Sequence, residues 1–208
     1  MQYKAFERGI EISGHAVAAT LQGFQLFPSV ALKYLSRYGF VKGPLPAEGK
    51  QPWPDIIDRN AWFPQENWLA TFEAIGRDVG THSLYRIGLC IPEVAKFPPS
   101  IHDIYTGVES IDIAYHMNHR KAGKVMFDPK TRLIDNGIGH YGYRPVPGEK
   151  KIISVCENPY PCDFDHGILA AMARRFEPKV TVAHDDLAPC RKKGADSCTY
   201  LITWSVPK

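Results

Sequence analysis

The chain has 208 residues, of which 44% are apolar and 12% aromatic, and its 25 basic and 22 acidic side chains leave a net charge of +3. An intrinsically disordered chain is excluded, because such chains lack aromatic residues and carry a large net charge. The small, dispersed charge argues against a nucleic-acid-binding surface. No apolar run reaches the roughly 18 to 20 residues that span a bilayer. The first residues also lack the apolar core of a signal peptide, so we expect a cytoplasmic protein without a membrane span.

The first 64 residues are predicted to form a helical segment that ends in an irregular loop. Pro28 is well placed in the first turn of a helix, and Gly39 is well placed to end it. Residues 43–64 hold five prolines and little periodicity, which is typical of a loop. This loop is a candidate boundary before a domain over residues 65–208, although one continuous domain fits the pattern equally well.

Helices are predicted to dominate the first half of the chain and strands the second half. Apolar residues recur at helical spacing over residues 65–79 and 100–120, and another helix should run from Ser83 until Pro92 interrupts it. A further helix is predicted over residues 163–175. Alternating patterns predict strands over residues 124–128, 137–146, 150–156, 179–184 and 198–204. The expected fold class is α+β, with an antiparallel sheet and one helix packed on it.

Cysteines form the strongest local pattern. Cys190 and Cys198 flank a Gly-Ala-Asp turn between two strands, and two thiolates held in this way are half of a tetrahedral zinc site. Cys162 is the preferred third ligand, with Cys156 behind it. The fourth ligand is expected to come from the end of the preceding strand, where the candidates are His184, Asp185 and Asp186. The alternative is that the cysteines are small buried apolar residues, as free cysteines often are.

Two segments of the sequence resemble a known family. They are Val182-Ala-His184 followed by Cys190-Arg-Lys-Lys-Gly-Ala-Asp-Ser-Cys198-Thr-Tyr-Leu-Ile-Thr-Trp204, and Asn158-Pro-Tyr-Pro-Cys162-Asp-Phe-Asp-His-Gly167. Both are similar to the C-terminal part of 4-vinyl reductase-type domains, which belong to the haem-NO-binding-like superfamily. The resemblance extends over residues 65–208 and is closest over residues 156–204.

The resemblance implies a sensor domain that binds a small apolar or aromatic molecule between its helices and its sheet. It also implies a structural zinc, for which Cys190 and Cys198 match the family's cysteine pair and Cys162 is nearest to its upstream cysteine. The sequence departs from the family where an acidic ligand usually precedes the pair, because Leu187-Ala-Pro189 stands there. Asp185, Asp186 or His184 would have to replace that ligand.

A second group of candidate ligands lies near the end of the helix predicted over residues 100–120. Asp112, His116 and His119 follow one another at steps of four and three, which brings them to one helical face. Such a group can bind a divalent metal, or one histidine can be an axial ligand of haem. His140, on a predicted strand, is a further candidate for the same cavity. The alternative is structural, because histidines at a helix C-terminus bond free carbonyl groups.

These observations favour a small-molecule-binding sensory or regulatory domain with a structural zinc. The sequence has no nucleophile elbow, dinucleotide-binding fingerprint or P-loop, so an enzyme is the less favoured class. We expect signalling through a homodimer or a partner protein, with the helical N-terminal half as the interface. One alternative is a haem- or metal-dependent redox protein or enzyme that uses Asp112, His116 and His119, and another is a non-catalytic assembly subunit.

Overall fold

A computed structural model of the chain describes residues 2–41 and 56–205. Most of the loop predicted over residues 43–64 therefore lies outside the described residues. The described helices are α1 (Gly14–Gly23), α2 (Pro28–Arg37), α3 (Gln65–Asp78), α4 (Thr81–Val94), α5 (Ile104–Met117) and α6 (Cys162–Arg174). The described strands are β1 (Ile10–Ser13), β2 (Trp62–Pro64), β3 (His119–Lys121), β4 (Lys124–Val125), β5 (His140–Tyr141), β6 (Arg144–Pro145), β7 (Lys151–Glu157), β8 (Thr181–His184) and β9 (Cys198–Thr203). Within these residues, no helix has the length and apolar character needed to cross a membrane.

The strands form two antiparallel sheets. The first has the order β2-β1-β3-β4, and the second has the order β5-β7-β9-β8, with β6 also paired to β7. Along β9 the residues alternate between buried and half-buried, as the period of two in the sequence requires when a helix covers one face of a sheet. That helix is α6, which contacts both β8 and β9. The α+β class predicted from the sequence is confirmed.

Of the first sheet, only the strand that begins at Lys124 was predicted from the sequence. Its β1 is only four residues long, and its partners come from distant parts of the chain. Ile12 lies opposite Phe63 of β2 on one side and opposite His119 of β3 on the other. One hydrophobic core joins side chains from both sides of residue 64. The division into two domains at that residue stays a prediction.

Two predicted helix ends are wrong. Helix α4 continues through Pro92 and ends at Val94. A proline this close to a C-terminus removes a single intrahelical hydrogen bond, and the apolar face of α4, including Leu84, Ile87 and Ile91, is buried. The helix predicted to reach residue 120 ends at Met117, because His119 pairs in β3 instead.

Helices α4 and α6 pack against each other at two glycines. A methyl group at Gly88 would lie 2.1 Å from the Phe164 carbonyl oxygen, and one at Gly167 would lie 2.2 Å from the Tyr85 carbonyl oxygen. Real side chains never approach a backbone oxygen so closely, so only glycine permits this separation of the helices. The close packing sets α4 beside the helix that begins at Cys162.

Candidate functional site

Three cysteines and one histidine meet at the N-terminus of α6. The Sγ atoms of Cys162 and Cys190 are 3.8 Å apart, and those of Cys190 and Cys198 are 3.9 Å apart. Cys162 and Cys198 are closer, at 2.9 Å. One ligand atom from each cysteine and one from His184 all lie within 4.8 Å of one another. We call these four residues the thiol cluster.

Each cysteine of the thiol cluster occupies the end of an element. Cys162 is the first residue of α6, and Cys198 is the first residue of β9, where it faces Cys156 of β7 across the sheet. Cys190 precedes a short 3-10 turn, Arg191–Lys193, which ends at Gly194 with φ of 88°. A left-handed residue there suits glycine, and it lets the chain return to β9. The Gly-centred turn was therefore a correct signal for bringing Cys190 and Cys198 together.

His184 is the candidate fourth ligand that the structure brings to the cysteines. Its Nδ1 lies 3.1 Å from Asp186 Oδ1, and a carboxylate there holds the proton on Nδ1. The other nitrogen, Nε2, is buried and has no hydrogen-bond partner among the described residues. Asp185 is outside the group and accepts a hydrogen bond from the Leu187 backbone instead. Cys156 is likewise outside it, 3.8 Å from Ser154 Oγ.

A fully buried arginine, Arg191, contacts the thiol cluster at Cys198. Its guanidinium pairs with Asp165, and it donates to the Asn158 side chain at 2.5 Å and to the Tyr160 carbonyl at 2.8 Å. Its backbone N–H and Nε also point at Cys198 Sγ, at 3.3 and 3.5 Å. Sequence reasoning missed Arg191, because a basic run Arg-Lys-Lys is normally a solvated face.

These contacts favour a thiolate at Cys198. The hydrogen bond from the Cys162 thiol and those from Arg191 lower the pKa of Cys198, while donating that bond and burial raise the pKa of Cys162. The cluster thus has one sulfur that can act as an anionic ligand, since a neighbouring arginine favours the thiolate. Burial raises the pKa of Asp165, which faces Arg191.

A small apolar cavity of about 40 Å³ lies between the helices and β1. Its walls are mostly aromatic or aliphatic. They include Ile12, Trp68, Ile111, Ala114, Tyr115, His119, Tyr141, Tyr160, Phe164 and Ile168. A volume of this size exceeds the roughly 10 to 15 Å³ that a water molecule needs, and it is well below the roughly 150 Å³ that holds benzene. The cavity therefore suits a molecule of a few non-hydrogen atoms.

Hydrogen bonds connect this cavity to Arg191. Tyr141 donates to Asp165 Oδ1 at 2.5 Å, and Tyr160, whose carbonyl binds Arg191, places its hydroxyl 2.7 Å from His119 Nε2. The same buried arginine thus contacts Cys198 on one side and the cavity wall on the other.

His119 lines the cavity as a neutral, fully engaged imidazole. Its Nδ1 lies 2.6 Å from the Tyr115 carbonyl, which can only accept, so Nδ1 is protonated and Nε2 accepts from the Tyr160 hydroxyl. Burial lowers the pKa of His119 to about 3. The sequence grouping of His119 with Asp112 and His116 is wrong, because His119 has left the helix for β3 and faces the cavity.

His140, rather than His119, completes the second group of candidate ligands. Ligand atoms of Asp112, His116 and His140 lie within 4.8 Å of one another. His140 Nδ1 is 3.2 Å from Asp112 Oδ2, and the rings of His116 and His140 are 5.1 Å apart. Burial lowers the pKa of His116. We call these three residues the α5 cluster.

The arrangement of helices and sheets is that of H-NOX, or haem NO-binding, domains. An H-NOX protein from S. oneidensis in the Fe(II) ligation state matches with a TM-score of 0.58 and 14% identity, over 95% of this chain and 98% of that chain. A variant of Tt H-NOX has the same TM-score and identity over 95% and 97%. A third structure, from work on haem redox potential and porphyrin distortion, has a TM-score of 0.56 and 13% identity over 93% and 100%.

The likeness establishes the haem-NO-binding-like fold that the resemblance implied. No family model matches the sequence, and no curated protein matches it. The finer assignment to 4-vinyl reductase-type domains therefore stays a prediction. The matched proteins are themselves described by their iron or haem states.

The described residues do not fit a haem in this conformation. A cavity of about 40 Å³ is far smaller than the roughly 300 Å³ at the lower end of ligand sites. His119, the histidine in its wall, has partners on both ring nitrogens. His116 has an unpartnered nitrogen, but it belongs to the α5 cluster and does not line the cavity.

Proposed function

We propose that this chain is a small-molecule-binding sensory domain in which the thiol cluster holds a structural zinc ion. The observation that carries the proposal is the meeting of three cysteines and His184 at one point, with buried contacts from there to the cavity. The zinc joins the start of α6 to the ends of β8 and β9. Within the superfamily, the 4-vinyl reductase-type branch is our proposed assignment.

The donor set of the thiol cluster fits zinc. Zinc–sulfur bonds of about 2.3 Å in a tetrahedron separate the sulfurs by about 3.8 Å, and two of the three sulfur pairs already have that separation. The short Cys162–Cys198 contact is a thiol-to-thiolate hydrogen bond, and it lengthens when a metal replaces the shared proton. His184 fits as well. When the Nδ1–H group of a histidine donates a hydrogen bond to a carboxylate, its Nε2 is free to bind a metal.

Metal content tests this site. Untagged protein purified without chelator should contain about one zinc per chain bound to thiolates, and Cys198→Ser should lose it. Cys90→Ser is the matched control, because Cys90 Sγ bonds the Arg86 carbonyl on α4 and is outside the cluster. A Cys198→Ser protein that keeps this thiolate-bound zinc would contradict the assignment.

The cavity is the proposed ligand site. Its volume favours an apolar molecule of a few non-hydrogen atoms, and an aromatic ligand requires the walls to move apart. Binding would stabilise one arrangement of α1, α4 and α5, which a second copy or a partner protein then recognises. We infer the N-terminal helices as that interface, and light scattering at working concentration tests for the homodimer.

Ligand binding can be tested with xenon as the probe. Xenon pressure should shift the methyl resonances of Ile111 and Ile168, which line the cavity, and leave those of Leu187 unchanged. Leu187 is fully exposed and serves as the internal control. Equal shifts at all three residues would mean that the cavity takes up no ligand.

Haem is the second candidate, and the fold comparison favours it. An absorbance scan of the same preparation decides between the candidates. A Soret band with about one iron per chain would show that the ligand is haem rather than a xenon-sized molecule. The cavity would then have to open around His119. Protein without a Soret band after haem is supplied, but with zinc, supports the first candidate. Protein that has neither metal nor ligand uptake would favour the assembly subunit.

A further inference from the structure

The α5 cluster has an open side and a buried side. The exposed fractions of its side chains are 0% for His116, 20% for Asp112 and 46% for His140. Helix α5 supplies Asp112 and His116 one turn apart, and β5 brings His140 to them. None of these residues contributes to the thiol cluster, and none lines the apolar cavity.

His116 carries a lone pair that nothing in the described part of the chain uses. Its Nδ1 is 2.7 Å from the backbone carbonyl of Asp112. A carbonyl only accepts hydrogen bonds, so the ring proton is on Nδ1 and the lone pair is on Nε2. That nitrogen is buried without a partner. Buried acceptors of this kind are rare and costly in proteins, and the other ring nitrogen, Nδ1, lies 3.7 Å from Asp112 Oδ1.

Asp112 is already oriented as a metal ligand would be. One carboxylate oxygen, Oδ1, accepts a hydrogen bond from the Tyr141 backbone N–H at 2.8 Å, and the other is 3.2 Å from His140 Nδ1. Metal–ligand bonds of about 2.0 to 2.2 Å place neighbouring ligand atoms roughly 3 Å apart. A metal ion can therefore replace the proton that His140 shares with Asp112 without a large movement of either side chain.

We propose that Asp112, His116 and His140 bind a divalent first-row transition metal ion, separate from the zinc of the thiol cluster. Its ligands are one imidazole nitrogen of His116, a carboxylate oxygen of Asp112 and one imidazole nitrogen of His140. Two imidazoles and one carboxylate select such ions over calcium or magnesium, which prefer oxygen ligands. The exposed side, at His140, leaves coordination positions open to solvent or to a small ligand.

Cobalt(II) is the probe that separates the two metal sites, since cobalt bound to thiolates gives strong sulfur-to-metal absorption and cobalt bound to nitrogen and oxygen does not. The full chain should take up one cobalt per chain with that absorption and a second with weak visible bands alone. In His140→Ala the affinity for the second cobalt ion should fall by at least about 100-fold, while the thiolate-bound cobalt ion stays bound. Since His140 is half exposed, this variant should keep the melting temperature of the metal-free protein.

Two further variants make the result decisive. Asp112→Asn keeps an oxygen for the Tyr141 N–H but removes the charge, so it should also lose the second cobalt. His102→Ala is the matched control, because His102 is an exposed histidine beside Asp103 just before the same helix, and it should bind cobalt as the wild type does. Unchanged second-site binding in His140→Ala and Asp112→Asn would overturn the proposal, and so would equal loss in His102→Ala.

Discussion

Arg191 joins several buried polar groups in one network of contacts. Its side chain and that of Asp165 are both 0% exposed, and isolated charges are expensive to bury. The cost is offset because the guanidinium also bonds Asn158, Tyr160 and Cys198. An arginine suits this position better than a lysine, since its planar fork can reach several acceptors at once.

Replacing Arg191 by methionine should strongly destabilise the protein. The variant leaves the Asp165 carboxylate buried without its partner, which costs about 3 to 5 kcal/mol. Urea unfolding of the metal-loaded protein measures this change. The double variant Arg191→Met with Asp165→Asn should recover part of the loss. In contrast, Arg77→Met breaks an exposed pair with Asp78 and should leave stability unchanged; an equal loss there would contradict the argument.

His119 should make the protein less stable in acid. Its pKa is about 3 in the folded chain, against an ordinary value of 6.5, so below pH 6.5 the unfolded chain binds a proton that the folded chain does not. The free energy of unfolding therefore falls as the pH falls through this range, by about 2 kcal/mol at pH of about 5 for this group. His119→Gln should remove this part of the pH dependence, as urea unfolding at neutral and acid pH will measure. The same pH slope in both proteins would contradict it.

At this scale the sequence predicted which cysteines lie together, but it grouped the histidines wrongly. The spacing of Cys190 and Cys198 around a glycine turn was sufficient to pair them. The spacing of Asp112, His116 and His119 was misleading, because a helical step has meaning only while the helix lasts, and α5 ends at Met117. His140, which the sequence named as a further candidate, meets Asp112 because β5 packs against α5, a long-range contact that no local spacing encodes.

Among the contacts between elements, that of α4 with α6 tolerates larger side chains least. Gly88 and Gly167 let the two backbones meet, and α6 in turn presents Cys162 and Asp165 at its first turn. The separation of these helices thus fixes both the thiol cluster and one wall of the cavity.

Gly88→Ala should destabilise the protein by about 2 kcal/mol or more, because the added methyl would overlap the Phe164 carbonyl and force the helices apart. This outweighs the roughly 1 kcal/mol that alanine gains over glycine within a helix. Gly76→Ala in α3 is the matched control, since its nearest neighbour is the flexible end of Leu84 at 3.1 Å. Thermal unfolding should show a large loss for the first and little change for the second; the reverse order would contradict this packing argument.

Helices were more predictable than strands for a physical reason. The amphipathic periods of α3 and α6 lie within one stretch of chain, and their observed ends differ from the predicted ones by a residue or so. The end of α4 was missed because tertiary burial outweighs the local effect of Pro92. Strand β1 was missed because four residues carry little periodicity and its two partners are far away in sequence.

For the molecule as a whole, zinc should stabilise the second sheet together with the helix α6 that covers it. The proposed ligands come from α6, β8, the loop after β8 and β9, so unfolding any of these elements releases the ion. Removing the metal with a strong chelator should lower the melting temperature, and the loss should reverse when zinc is added back, as expected for a ligand that binds only the folded state. Cys90→Ser should respond like the wild type, and an unaffected melting temperature would argue that the cluster holds no metal.

The order of strands in the second sheet also bears on how the protein is made. Strand β9 lies between β7 and β8, yet its first residue is translated roughly 40 residues after β7 is complete. At about 5 to 20 residues per second, the long edge of β7 waits roughly 2 to 8 seconds for its partner on the ribosome. Exposed strand edges recruit other chains, so this interval is when growing chains are most open to edge-to-edge pairing with one another.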